Sequence, residues 1–162
     1  LRPVLGLLLF AGLQLGWQVL QGGALARAVI GYGVVRPAVW SVRTLTPEIP
    51  VRAADRALLA PGGGLNIRNG CEGLEALFLL TAAVLVSPVS WAARGRGVLL
   101  ACGMVFLINQ ARVVLLFYAW REAPRYFDAL HGTVTPIAVV LLVCACFAIW
   151  LRKVHGNAAQ TA

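Results

Sequence analysis

Two long apolar stretches, residues 98–120 and 131–151, constrain the chain more than any other feature. Crossing the ~30 Å hydrocarbon core of a bilayer takes about 20 predominantly apolar residues in a helix, and both stretches reach that length. The chain as a whole is 60% hydrophobic and 12% charged, with a mean hydropathy of +0.81. A water-soluble domain of 162 residues does not carry that balance. The reading is an all-α polytopic membrane protein, built as a single integral membrane domain over residues 1–162.

Two further spans complete the expected set of about four. Residues 3–20 form an apolar run preceded by Arg2, and residues 71–86 form another that ends at Ser87-Pro88. A signal peptide competes for the first run, because Ala24-Leu25-Ala26 has the small-x-small form of a cleavage site. The chain begins without methionine, which leaves open a missing natural start. The loop at residues 90–97, with Arg94 and Arg96, then falls on the same side as Arg2 and the Arg152-Lys153 pair. The positive-inside rule makes that side cytoplasmic.

Residues 21–70 are expected to lie outside the membrane. Residues 21–45 are apolar but interrupted by Arg27, Arg36 and Arg43, with Gly31, Gly33 and Pro37 breaking regular helix, as in an amphipathic segment lying on the interface. As a span, this piece would place Arg36 near the bilayer centre at about 2.5 to 3.5 kcal/mol. Residues 46–70 hold Pro47, Pro50 and Pro61-Gly62-Gly63-Gly64, a turn-rich pattern that predicts a short β-hairpin. The six arginines of this segment oppose the orientation, but charge loses influence in long loops.

The net charge of +8 does not indicate nucleic acid. Thirteen of the fourteen basic residues are arginines scattered between apolar runs, without a basic tract. Topology and anionic membrane lipid are the uses that fit. Cys102, Cys144 and Cys146 sit within apolar runs and read as packing residues; no metal-type spacing and no disulfide framework is implied.

The fourth cysteine differs. Cys71 stands in Asn69-Gly70-Cys71-Glu72-Gly73-Leu74-Glu75, where a polar, glycine-rich stretch enters an apolar helix. A thiol at a helix start feels the positive end of the helix dipole, which favours thiolate. His131 lies at the outer end of the last span. Arg112, eight residues before Trp120, lies about 12 Å below the outer end of the third, and its long side chain can reach outward. Asn109 shares a helix face with Arg112, and Glu75 shares the face of Cys71. A thiol nucleophile, an imidazole to move its proton and a permanent cation to stabilise anionic charge can thus converge. Glu72 or Glu75 would balance the cation. Each residue also has a plainer role: packing for Cys71, a helix start for His131, an Arg112–Glu75 pair that registers two helices, and interhelical glue for Asn109.

Cys71-x-Gly73 at a span entrance, Asn109-x-x-Arg112 in the next long span and His131 at the start of the last resemble the exosortase/archaeosortase family of membrane cysteine transpeptidases. The short chain with Asn-Gly-Cys-x-Gly resembles the exosortase H subtype. The resemblance covers roughly residues 66–151. It implies a cysteine protease and transpeptidase in a bacterial plasma (inner) membrane, with its active site on the extracytoplasmic side. Its substrates would be exported proteins ending in a short motif, a transmembrane helix and a basic cluster. Cys71, Arg112 and His131 would be catalytic, supported by Asn109, Glu72, Gly73 and Glu75, with no metal or organic cofactor. Two departures stand out. Many members carry serine where this chain has Glu72, whose charge raises the pKa of a neighbouring thiol, and many have more spans. The rival readings are a non-catalytic assembly or scaffold subunit and, further off, a small transporter component using Arg112 and Glu75. No repeats or broken helices support the last.

Overall fold

The computed structural model describes residues 1–68 and 70–160, without the side chains of 157–160. Helix α1 (Arg2–Leu20) is followed by a near-continuous helical stretch of α2 (Ala24–Ile30), a π-helical turn (Gly31–Val35) and α3 (Arg36–Leu45). Three short strands come next, β1 (Arg52–Ala54), β2 (Ala57–Ala60) and β3 (Gly63–Asn66). The chain then forms α4 (Leu74–Val86), α5 (Trp91–Glu122), a 3-10 turn (Pro124–Tyr126), α6 (Phe127–Ala129), a second π-helical turn (Leu130–Val134) and α7 (Thr135–Gln160).

Among the described residues, three helices are long and apolar enough to cross a membrane: Arg2–Leu20, Trp91–Glu122 and Pro124–Gly156. Exposed Leu7, Leu8 and Leu15 on α1, with Ile137 and Leu141 on α7, give the apolar outer surface that a helix in lipid carries. The stretch expected to span at 71–86 is shorter: α4 has 13 residues and a length of ~20 Å. Ser87 and Pro88 stop it, with the Ser87 hydroxyl donating to the Ala83 carbonyl at 2.7 Å.

Several boundaries differ from expectation. Arg94 and Arg96 are not in a loop but in the opening turns of α5, because Ser90 caps that helix, its Oγ accepting from the Ala93 N–H at 3.3 Å. The expected hairpin is a three-stranded antiparallel meander in the order β1-β2-β3, with Arg52 opposite Leu59 and Leu58 opposite Leu65. The third strand forms because Gly62 and Gly63 take positive φ values and turn the chain a second time.

Pro37 does not break its helix. A proline has no N–H for the carbonyl four residues earlier, here that of Gly33. The backbone widens into the π turn, and Gln110 of α5 supplies the missing donor, its Nε2 reaching the Gly33 carbonyl at 3.1 Å. The second π turn ends just before Pro136, which leaves the Gly132 carbonyl short of a donor in the same way.

Two cores sit along α5. The first joins Ile30, Val35, Ala38 and Val42 of the α2–α3 stretch to Leu58 and Leu65 of the sheet and to Val113, Leu116 and Phe117 of α5. Phe117 is fully buried at its centre, a burial that stabilises by about 1.5 to 3 kcal/mol. The second core joins Leu80 and Val84 of α4, Ala101 and Val105 of α5, and Val143 of α7. Helix α3 is amphipathic as expected, with Ala38, Val39 and Val42 inward and Arg36, Trp40 and Arg43 outward.

Two arginines of the segment before α4 bind backbone. Arg43 Nε donates to the Val51 carbonyl at 2.7 Å, and Arg56 Nη2 to that of Gln21 at 2.9 Å. These bonds pin the meander to α3 and to the end of α1, so part of the positive charge in this segment has a structural task.

Candidate active site

Cys71 lies where the first core meets the turn into α4, half-buried and packed against that core. Its backbone N–H donates to the Arg68 carbonyl at 3.0 Å. Gly70 and Gly73 on either side both take positive φ, 86° and 81°, so the chain folds sharply around the cysteine. Asn69, part of the expected motif, lies outside the described residues.

Gly73 is tied to its place twice. A left-handed backbone costs an L-residue about 1 to 2 kcal/mol, and a Cβ there would meet Asn109 Cγ at 2.9 Å. Asn109 is buried on α5 and cannot withdraw without disturbing that helix. Gly73→Ala is therefore expected to lower stability by about 2 to 4 kcal/mol. Thermal unfolding in detergent measures it; an unchanged midpoint would contradict this account of the turn. Asn109→Gly introduced alongside, which removes the Cβ at 3.0 Å as well as the amide, should relieve the steric part and leave the conformational part.

The second component comes from the π turn before α7. His131 Nε2 is 3.1 Å from Cys71 Sγ, within hydrogen-bond distance. Phe127, four residues earlier, lies parallel to the imidazole with ring centres 5.5 Å apart and planes 10° apart, which holds the ring's tilt. Because the turn is π-helical, the positions of His131 and its neighbours differ from those of an α-helix. Pro136 is the local cause.

The third component is Arg112 of α5. Its Nε donates to Thr135 Oγ1 at 3.1 Å, a buried hydroxyl at the first position of α7. That bond aims the guanidinium, and Nη2 reaches toward Cys71 Sγ at 3.9 Å. The contact is long for a hydrogen bond, and its worth is electrostatic. Asn109 sits one turn earlier on the same face, beside Gly73, with its Oδ1 buried and without a partner among the described residues.

The two acids take different places from those expected. Neither forms an ion pair with Arg112: among the described residues the one ion pair is Arg121–Glu122 on the surface. Glu72 turns away from the cation, and its Oε1 accepts from Trp17 Nε1 of α1 at 2.8 Å, both side chains being buried. Glu75 is exposed. The physical reason is register, since Cys71 and Glu72 precede the first helical residue, Leu74, and helical spacing does not apply to them. Trp17 was the participant that sequence reasoning missed. The single indole of α1, whose N–H needs an acceptor once buried, was the available signal.

The same register corrects the expected thiolate. Cys71 stands before the helix rather than in its first turn, and burial pushes its thiol above the ordinary range; Arg112 partly offsets this, and the charges of Glu72 and Glu75 add to the rise. At neutral pH Cys71 therefore rests as a thiol. Compared with protein-family models, curated proteins and solved structures, the chain has no match, so the site stands on its own geometry.

Proposed function

We propose that the chain is a membrane-embedded cysteine protease and transpeptidase of exosortase type, cleaving C-terminal sorting signals of exported proteins and transferring them to an acceptor. The observation that carries this reading is the 3.1 Å approach of Cys71 to His131, 60 positions apart in sequence, with Arg112 aimed at the same sulfur from a third segment. Cysteines that serve only as packing do not need an imidazole and a guanidinium brought to them.

In the proposed cycle, Cys71 sulfur attacks the backbone carbonyl of the substrate's motif while His131 takes the thiol proton. The carbonyl oxygen becomes an oxyanion facing Arg112. Collapse breaks the C–N bond, His131 returns the proton to the leaving amine, and a thioester to Cys71 remains. An acceptor nucleophile then attacks the thioester, giving its proton to His131 and restoring the thiol. In this reading α4 completes a set of four spans in a bacterial plasma membrane, and the site faces the extracytoplasmic side, where the bond cut lies beside the substrate's own membrane helix.

Thioester capture tests it. Candidate exported proteins ending in an apolar helix and a basic cluster are co-expressed with the protein, membranes are treated with hydroxylamine, and mass spectrometry reads the substrate C-termini. A truncated product ending in a hydroxamate is expected. Intact C-terminal helices on every candidate, with the protein itself folded, would sink the proposal.

A further inference from the structure

A second concentration of charge lies at the other end of the bundle. A cleft of about 760 Å³ opens between the start of α1, the turn from α4 to α5 and the end of α7. Four permanent cations line it, Arg2, Arg94, Arg96 and Lys153, together with the imidazole of His155. The six acidic residues of the chain are Glu48, Asp55, Glu72, Glu75, Glu122 and Asp128, and none lines this cleft. The amino end of the 32-residue α5 also opens there, adding its partial positive charge.

Such a group of cations, without a carboxylate among the described residues that line the cleft, calls for an anion from outside the chain. Arg94 is held in place: Nη2 donates to the Ser87 carbonyl at 3.1 Å, and the guanidinium lies over the Trp91 ring at 4.4 Å. Its Nε is nonetheless buried with no partner among the described residues. One wall of the cleft is apolar, formed by Val89, Leu100 and Trp150. The Trp150 ring is fixed there by close packing on Gly97, where a Cβ would come within 2.7 Å of it.

We propose that this cleft is a binding site for the phosphodiester headgroup of an anionic glycerophospholipid. The cations take the phosphate, and the apolar wall takes the glycerol end of the acyl chains. Inorganic phosphate shares the charge chemistry but has no use for the wall, which is why the lipid is the occupant named. The site is independent of the Cys71 chemistry.

Native mass spectrometry of the detergent-solubilised full chain, titrated with phosphatidylglycerol or phosphatidylcholine, tests the assignment. Phosphatidylglycerol is expected to bind preferentially. Arg96→Gln combined with Lys153→Gln should weaken it roughly thirtyfold, from two phosphate-facing charges. Both residues are exposed, so folding is expected to survive, and circular dichroism checks it. Arg152→Gln, beside Lys153 but outside the lining, and the charge-conserving Arg96→Lys should both keep binding. Equal retention of the two lipids, or unchanged phosphatidylglycerol binding in the double variant, overturns the proposal. Displacement of phosphatidylglycerol by inorganic phosphate that itself binds as tightly would make this a soluble-phosphate site and overturn the lipid assignment.

Discussion

Cys71→Ser is expected to lower processing of a C-terminal sorting signal by about 10⁴-fold or more while leaving the protein's abundance and melting behaviour unchanged. The size follows from the chemistry. A hydroxyl is a far weaker nucleophile than a thiol, and the geometry at Cys71 holds no stronger base than one imidazole at 3.1 Å. Stability is spared because the side chain is only half-buried and serine is close to it in volume. A scaffold subunit would show the reverse: Cys71→Ser tolerated, and Arg112→Ala destabilising. The thiol itself can be followed by alkylation. Since burial outweighs Arg112, the alkylation rate should keep rising with pH through and beyond the ordinary thiol range. Arg112→Gln removes a charge that lowers the thiol pKa, so it should move the midpoint further up; Glu72→Gln removes one that raises it, so it should move the midpoint down. An unchanged midpoint in both variants would mean that neither charge acts on the sulfur.

His131→Ala is the second large effect, expected at about 10²- to 10⁴-fold in turnover. In the proposed cycle the loss has two parts, because the imidazole takes the proton from a thiol that is protonated at rest and later returns it to the leaving amine. A base supplied from solution replaces only the first. Imidazole added to the His131→Ala protein should therefore recover alkylation of Cys71 more fully than processing of substrate. His131→Gln keeps the hydrogen-bonding shape but cannot accept and release a proton near neutral pH, and it should be as slow as the alanine variant. Processing by His131→Gln at the native rate would remove His131 from the mechanism. Phe127→Leu, which takes away the ring stacked on the imidazole without touching the sulfur, should give a milder loss, since it loosens orientation alone.

The geometry also bears on Glu72, the position that departs from the resembled family. An acid beside a thiol looks unfavourable when only the two neighbours in sequence are considered. In the fold the carboxyl turns to Trp17 and ties α1 to the turn that carries Cys71. Its charge still raises the thiol pKa, and the turn that carries Cys71 gains an anchor on α1. Trp17→Phe tests this anchor, because it keeps the ring and removes the N–H.

Local chemistry written along the chain determined much of this protein. Apolar runs of membrane length in the first, third and fourth positions require helices because backbone polar groups in lipid must be satisfied within the segment, and α1, α5 and α7 follow. The alternation of arginines with apolar residues at 36–45 requires an amphipathic helix, and Cys71, Arg112 and His131 were legible as the only thiol at a polar junction, the one cation deep in a span and the histidine at a span's start. Tertiary structure alone decided the rest. Whether Glu72 and Glu75 face Arg112 depended on where α4 begins, and the positive φ at Gly73 moves that point past both the cysteine and Glu72. The π turns at residues 31–35 and 130–134 precede Pro37, which sequence reading takes as a break, and Pro136, which it passes over. They remain helical because Gln110, distant in sequence, caps one freed carbonyl and because α5 supports both segments. The direction of the thiol pKa was the furthest from reach. It is set by how much of the first core covers the sulfur, and burial depends on the packing of α3, α5 and the meander together rather than on any residue beside it.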